Sequence, residues 1–150
     1  MADKAPREQM RAISIPPVGL EGLLGLTAMA SGIVLFAHGS GSGRFSPRNN
    51  FVAQALREAG LATLLFDLLT DDEARHRRNV FDIGLLAQRL SMAAAWARDD
   101  AETASLPVGY FGASTGAAAA LLAAAAAEDP VAAIVSLAAV RILPVRRSAQ

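Results

Sequence analysis

Cysteine is absent from this sequence of 150 residues, and neither sign of charge predominates. Without cysteine the chain cannot form disulfides, thiolate metal sites or a cysteine nucleophile, so any covalent catalysis must use an oxygen atom. Fourteen basic residues balance fourteen acidic ones, which leaves no overall field that would attract nucleic acid or an anionic membrane. We therefore expect a small-molecule substrate, no nucleic-acid or membrane partner, and neither a metal nor an organic cofactor.

Long apolar runs are also missing. The first eleven residues, MADKAPREQMR, are polar, whereas a secretory signal needs an apolar segment. No later uncharged apolar run reaches the roughly eighteen residues that a membrane span requires. These absences predict a cytoplasmic chain, and the hydrophobic content of 53% suits one ordinary globular domain.

Strand-like and helix-like apolar segments alternate along the chain. Residues 10–15 and 20–28 flank a turn rich in proline and glycine and predict two antiparallel strands. Continuous apolar runs predict further buried strands, and apolar residues at helical spacing predict helices between them. These strands are expected at 33–37, 61–68, 108–111 and 131–136, and the helices at 47–59, 80–98 and 117–127. The alternation predicts an α/β fold, a mostly parallel sheet with helices on both faces.

Two segments carry further detail. Within residues 47–59 the apolar residues Phe51, Val52, Ala55, Leu56 and Ala59 recur at helical spacing, which predicts the helix there. Residues 70–79, TDDEARHRRN, are too polar to pack and are expected to form a solvated loop.

The motif Gly112-Ala113-Ser114-Thr115-Gly116 lies between the strand VGYF and an alanine-rich helix. A G-x-S-x-G turn in that context is typical of a nucleophile elbow, which exposes the serine hydroxyl at the carboxyl edge of the sheet. Ser114 is therefore the candidate nucleophile, and the amide of Thr115 at the helix N-terminus is a candidate oxyanion donor. The motif alone occurs by chance in many chains, so the strand and helix around it carry the prediction.

The glycine-rich segment HGSGSG at 38–43 follows the third predicted strand. Hydrolases with a serine elbow take their second oxyanion donor from a backbone amide in this place, and Ser40 is the candidate for it. A competing interpretation is a phosphate loop built on Gly39, Gly41 and Gly43, with Asp67 as a ribose ligand. That fingerprint needs glycine where Arg44 stands, and it leaves the serine motif unexplained.

Candidate substrate-binding residues lie near the same loop. Arg44, Arg48 and His38 could bind a substrate carboxylate, and Gly39 adjoins them. The chain has only two histidines, and the second, His76, lies in the charged segment where a solvated side chain is expected. The sequence therefore offers no evident general base for a serine nucleophile.

Three segments carry a family resemblance: LFAHGSGSGRFSPRNNFVAQALREAGLATLLFDLLT, FDIGLLAQRL and LPVGYFGASTGAAAALLAAAA. Together they resemble the dienelactone hydrolase-like branch of the α/β-hydrolases, including members fused to phosphoribosyltransferase domains, over about residues 10–136. The resemblance implies an eight-stranded sheet, with the nucleophile after the fifth strand, an acid after the seventh and a histidine after the eighth. It also implies a phosphoribosyltransferase as a partner.

The sequence departs from the family pattern in two places. Dienelactone hydrolases proper have cysteine where this chain has Ser114, so a serine esterase or acyl hydrolase is expected instead of a lactone hydrolase. We expect a partial hydrolase domain at 1–136 that lacks the last two strands, followed by an aberrant basic tail at 137–150. One back-translation of the tail, read two bases out of frame, gives GGRPDLAGPALGA, which resembles the continuation in relatives. A frameshift at about Leu137 is the resulting hypothesis.

The functional expectation is therefore a serine hydrolase impaired by loss of its acid and base. The sequence leaves two alternatives open: a non-catalytic hydrolase remnant, and a nucleotide-binding domain that uses the HGSGSG loop. A domain without its last two strands would also leave the sixth strand as an uncovered apolar edge, which favours aggregation.

Overall fold

The computed structural model describes residues 8–39 and 41–137, which form a six-stranded sheet with helices on both faces. The strands are β1 (Gln9–Ile15), β2 (Leu20–Leu26), β3 (Ile33–Ala37), β4 (Ala62–Phe66), β5 (Val108–Ala113) and β6 (Ala133–Leu137). Their order across the sheet is β1-β2-β4-β3-β5-β6. Strand β2 is antiparallel to β1 and β4, and the other pairs are parallel. The predicted α/β fold is confirmed.

The helices are α1 (Pro47–Glu58), α2 (Asp71–Ala74), α3 (Arg77–Val80), α4 (Ile83–Asp99) and α5 (Thr115–Ala126). Helix α1 covers one face of the sheet, where Ala53 joins a small core with Phe36, Leu65 and Phe111. Helices α4 and α5 cover the other face over a larger core. Because successive side chains of β3 point to opposite faces, this one strand supplies apolar side chains to both cores. No helix among the described residues is long and apolar enough to cross a membrane.

The helix predicted over 47–59 is confirmed as α1, and its apolar residues are only partly covered. Asn49 and Ala53 are its buried residues, with Val52 and Leu56 packed beside them. Phe51 remains 75% exposed, and Ala55 and Ala59 are exposed as well. The apolar stripe of α1 is therefore wider than the part that the sheet covers.

The prediction that residues 70–79 form a solvated loop was wrong about the loop, because this segment contains α2 and α3, but the segment is solvated as predicted, since neither helix has a buried residue. Thr70 and Glu73 form a capping box, in which the Thr70 hydroxyl accepts from the Glu73 amide and the Glu73 carboxylate accepts from the Thr70 amide. The Glu73 carboxylate also receives two hydrogen bonds from the buried guanidinium of Arg89 on α4, at 2.8 and 2.6 Å. The segment is therefore ordered by its capping box and by the pairing of Glu73 with Arg89, while most of its residues stay exposed.

Strand β6 lies at one edge of the described sheet. It pairs with β5, and all five of its residues are exposed, including Ile134, Val135 and Leu137. Among the described residues, no strand pairs with its outer side. This agrees with the expectation of an uncovered edge, whereas the predicted tail lies outside the described residues from 138 onward and stays a prediction.

Candidate active site

Ser114 occupies the turn between β5 and α5. Its backbone has φ 56° and ψ −125°, a region that residues other than glycine rarely adopt and that costs free energy to maintain. The side chain is exposed at the carboxyl edge of the parallel strands. Helix α5 begins at Thr115, two residues earlier than predicted, so the Thr115 amide is one of the N-terminal N–H groups without an acceptor inside the helix.

The two glycines of the motif allow this turn to pack closely. A Cβ atom on Gly112 would lie 2.5 Å from the carbonyl oxygen of Gly116, and one on Gly116 would collide with the carbonyl oxygens of Ala37 and His38. Helix α5 therefore starts against both β5 and the end of β3. This contact ties the Ser114 turn to the loop that follows β3.

The loop after β3 lies beside Ser114, as the sequence predicted. A Cβ atom on Gly39 would lie 3.0 Å from Ser114 Cβ and 3.6 Å from Ser114 Oγ. Residue Ser40, the predicted second oxyanion donor, lies outside the described residues, so its role stays a prediction.

His38 is held inside the protein by both ring nitrogens. The Leu68 amide donates to Nε2 at 2.9 Å, and Nδ1 lies 2.9 Å from the Gly39 carbonyl oxygen. This pattern requires the proton on Nδ1, which donates to that carbonyl. Burial lowers the pKa of His38, and the hydrogen bond to Gly39 and the charge of Asp67 oppose this only in part. The imidazole is therefore neutral and fixes the loop, so the structure does not support its predicted role as a cation for a substrate carboxylate.

Arg44 is the second predicted substrate cation, and its guanidinium already has two partners. It forms an ion pair with Asp67 and another with Glu21 at 2.7 Å, while its amide donates to Asp67 at 2.7 Å. Gly43 permits this arrangement, because a Cβ atom there would lie 2.8 Å from the Asp67 carboxylate. Arg44 thus secures its loop to the ends of β2 and β4, and it is not available as an unpaired positive charge.

The remaining predicted residues lie farther out. Arg48 is exposed in the first turn of α1 and does not line the cleft described below. His76 is exposed at the start of α3, as expected. In the described part of the chain, no group of three or more histidine, aspartate or glutamate side chains could hold a metal ion.

A cleft of about 870 Å³ opens at the carboxyl edge of the sheet, next to the Ser114 turn. Gly39 and Thr115, which flank Ser114 in space and in sequence, contribute to its wall. Its lining includes the four charged residues Glu21, Arg44, Asp67 and Asp71. It also includes the apolar residues Leu69, Ala74, Val80 and Leu86.

Sequence reasoning missed most of this cleft. Glu21 and Asp71 were not predicted as site residues, and they come from a strand and a short helix far apart in the chain. Thr115 has a further property that only the structure reveals, because its buried hydroxyl oxygen has no hydrogen-bond partner in the described part of the chain. The capping pair Thr70 and Glu73 was the one available signal that residues 70–79 would be ordered.

No protein-family model matches the chain. A crystal structure of dienelactone hydrolase from Anabaena variabilis is 53% identical, with a TM-score of 0.79, and the match covers 88% of this chain and 63% of that one. A cold-adapted esterase from an Arctic intertidal metagenomic library is 17% identical with a TM-score of 0.67, over 92% of this chain and 63% of that one, a likeness of fold alone.

Curated relatives, which are much longer proteins, carry a different name. A Mycobacterium tuberculosis protein, provisionally named a phosphoribosyl transferase, is 55% identical over 135 residues, which are 90% of this chain and 30% of that protein. The chain therefore spans less than a third of the curated relatives it matches. The strand order and the likeness to the Anabaena enzyme show that the chain has an α/β-hydrolase fold, and its structural neighbours support the dienelactone hydrolase-like branch of that superfamily.

Proposed function

We propose that this chain is part of a serine hydrolase that cleaves carboxylic esters or related acyl compounds, with Ser114 as the nucleophile. The observation that carries the proposal is the exposed Ser114 at a turn of positive φ, beside a cleft at the carboxyl edge of the sheet. A strained backbone in this position has a physical reason if it presents the hydroxyl to a substrate.

The proposed reaction has two steps. The Ser114 oxygen attacks the acyl carbon while a base takes its proton, and the amides of Thr115 and Ser40 stabilise the oxyanion that forms. The bond to the alcohol then breaks, the alcohol leaves with that proton, and an acyl-serine remains. Water, deprotonated by the same base, hydrolyses the acyl-serine and restores the hydroxyl.

The base and its acid partner come, in this proposal, from outside the chain. Neither histidine suits the role, because both ring nitrogens of His38 are engaged and His76 is exposed on α3. The chain spans 63% of the Anabaena hydrolase, and the rest of such a domain is where we expect the acid and the base. The frameshift hypothesis concerns the same region, and the gene sequence tests it: codons 137–150 that give no GGRPDLAG in another frame contradict it.

A non-catalytic hydrolase remnant is the second candidate, and the engaged nitrogens of His38 favour it for the chain on its own. Nucleotide binding through HGSGSG is less well supported, because Asp67, its candidate ribose ligand, already pairs with Arg44. We retain a phosphoribosyltransferase partner and a cytoplasmic location as proposals. The partner proposal is tested by asking whether this chain co-purifies with the phosphoribosyltransferase part of a longer natural protein.

Ester hydrolysis tests the main proposal. Residues 1–137 are joined to the C-terminal part of the Anabaena hydrolase that follows β6, and the rate with short p-nitrophenyl esters is measured. We expect Ser114→Ala to lower kcat/KM by at least about a thousandfold. The matched control Ser105→Ala, at an exposed serine remote from the cleft, should leave the rate unchanged. Equal rates for Ser114→Ala and the parent protein contradict the proposal.

A further inference from the structure

The charges around the cleft are unbalanced. Its described wall contains three carboxylates, Glu21, Asp67 and Asp71, and one guanidinium, Arg44. His38 also lines the cleft but is neutral, because burial lowers its pKa and both ring nitrogens are hydrogen-bonded. The only positive charge in the described wall is therefore already shared between two of the carboxylates.

These acidic groups lie close together. Glu21, Asp67 and Asp71 also line a smaller adjoining pocket of about 180 Å³, so the three carboxylates surround one corner of the site. Asp67 is mostly covered and receives the amide and the guanidinium of Arg44. Glu21 keeps 68% of its side chain exposed and Asp71 is exposed, and both line the cleft, so a ligand bound there meets their negative charge.

The cleft also has apolar lining residues. Leu69 and Leu86 are buried, and Val80 on α3 and Ala74 on α2 add further apolar side chains. A ligand in the cleft would place an apolar group against these side chains and its remaining polar atoms near the carboxylates. An anionic group there would lose its hydration and meet like charge, which weakens binding.

Resting on the proposed hydrolase function, we propose that the cleft selects esters whose polar group is neutral or positively charged and discriminates against those that carry a carboxylate. Glu21 and Asp71 are the residues that set this preference. The sequence predicted the opposite selection, through Arg44, Arg48 and His38. In the structure Arg44 is paired with two carboxylates, His38 is uncharged, and Arg48 is not among the residues that line the cleft.

Binding to the Ser114→Ala chain tests this without any reaction. The probes are phenethylammonium, phenylacetamide and phenylacetate, which share a ring and differ in charge, and their dissociation constants come from ¹H–¹⁵N spectra at neutral pH. We expect phenylacetate to bind about fivefold more weakly than phenylacetamide at low salt, and phenethylammonium to bind most tightly. The differences should shrink at high salt, because salt screens exposed charges.

Charge-neutralising variants test whether Glu21 and Asp71 set this preference. Glu21→Gln and Asp71→Asn should each reduce the difference between phenylacetate and phenylacetamide at least about twofold. Asp99→Asn makes the same change at an exposed position at the end of α4 and should leave the difference unaltered. Equal or tighter binding of phenylacetate, an unchanged difference in both cleft variants, or no binding of any probe overturns the inference. The hydrolysis experiment with Ser114→Ala fails or succeeds independently of these results.

Discussion

The ion pair between Glu73 and Arg89 should contribute more to stability than any other charged contact of the α2 segment. The two side chains are joined by two hydrogen bonds of 2.8 and 2.6 Å, and the side chain of Arg89 is only 9% exposed. The replacement Glu73→Gln keeps a group that can cap α2 but removes the negative charge. It leaves a buried guanidinium without its counter-ion, which is costly.

The lowered pKa of Glu73 gives the size of the expected loss in the free energy of unfolding. Hydrogen bonding from Arg89 is the main cause that lowers this pKa from 4.5 to about 2, and burial opposes it. A shift of that size corresponds to roughly 3 kcal/mol at neutral pH. Because 26% of the Glu73 side chain is exposed, solvent screening reduces the expected loss to about 2 kcal/mol.

Urea unfolding at pH 7 measures this loss. We expect Glu73→Gln to lower the free energy of unfolding by about 2 kcal/mol, and Glu73→Gln combined with Arg89→Met to recover part of it, because no unpaired charge is then buried. The control Asp72→Asn breaks an exposed pair with Arg75 and should cost at most about 0.5 kcal/mol. A loss for Glu73→Gln no larger than that of Asp72→Asn would refute the reasoning.

The same pair predicts a pH dependence. The pKa of Glu73 is lower in the folded chain than in the unfolded one, so its stabilisation is complete above about pH 4.5. The stabilisation is lost as the pH falls from there towards 2, since the unfolded chain then binds a proton that the folded chain does not. The Glu73→Gln variant should therefore show a flatter decline of stability over this range than the parent chain.

Three other substitutions test the site. Gly116→Ala should lower the free energy of unfolding by about 3 kcal/mol, because its methyl group would collide with the Ala37 carbonyl. The control Gly84→Ala should not destabilise the chain, because the added methyl group makes only an ordinary contact with Asp82. Equal effects of the two substitutions in thermal unfolding would contradict this. Thr115→Val should raise the free energy of unfolding, measured in urea, by about 1 kcal/mol, because it removes a buried hydroxyl that has no hydrogen-bond partner among the described residues. A loss of stability would show that this hydroxyl does form a hydrogen bond. Because burial lowers the pKa of His38, stability should decline as the pH falls below about 6.5; His38→Gln should flatten that decline while His76→Gln leaves it intact.

Much of the fold could be predicted because the sequence patterns are local. The apolar run of β3 and the spacing of Leu86, Leu90 and Ala94 on α4 identify their elements directly, and these residues are buried. The face of α1 and the order of residues 70–79 could not be predicted in the same way. Exposure of Phe51 depends on what covers α1, and α2 depends on Arg89, sixteen positions beyond Glu73.

The candidate site, too, could be predicted from the sequence only in part. The turn at Ser114 and its approach to the loop after β3 follow from two glycine motifs placed after neighbouring strands. Whether the charged side chains are paired cannot be predicted from such motifs. Arg44 meets Asp67 and Glu21 only because β2 and β4 pair, with 23 positions between the arginine and each carboxylate. For that reason the sequence predicted a free arginine, and the structure has a paired one.

Labelling with a fluorophosphonate tests the central claim most directly, because this reagent reacts with an activated serine and the labelled residue can be located by peptide mass spectrometry. We predict that the joined protein, residues 1–137 with the C-terminal part of the Anabaena hydrolase, is labelled at Ser114, and that the chain alone reacts at least about a thousandfold more slowly for want of a base. Labelling of another residue, no labelling of the folded joined protein, or equal rates for the two proteins would contradict the account.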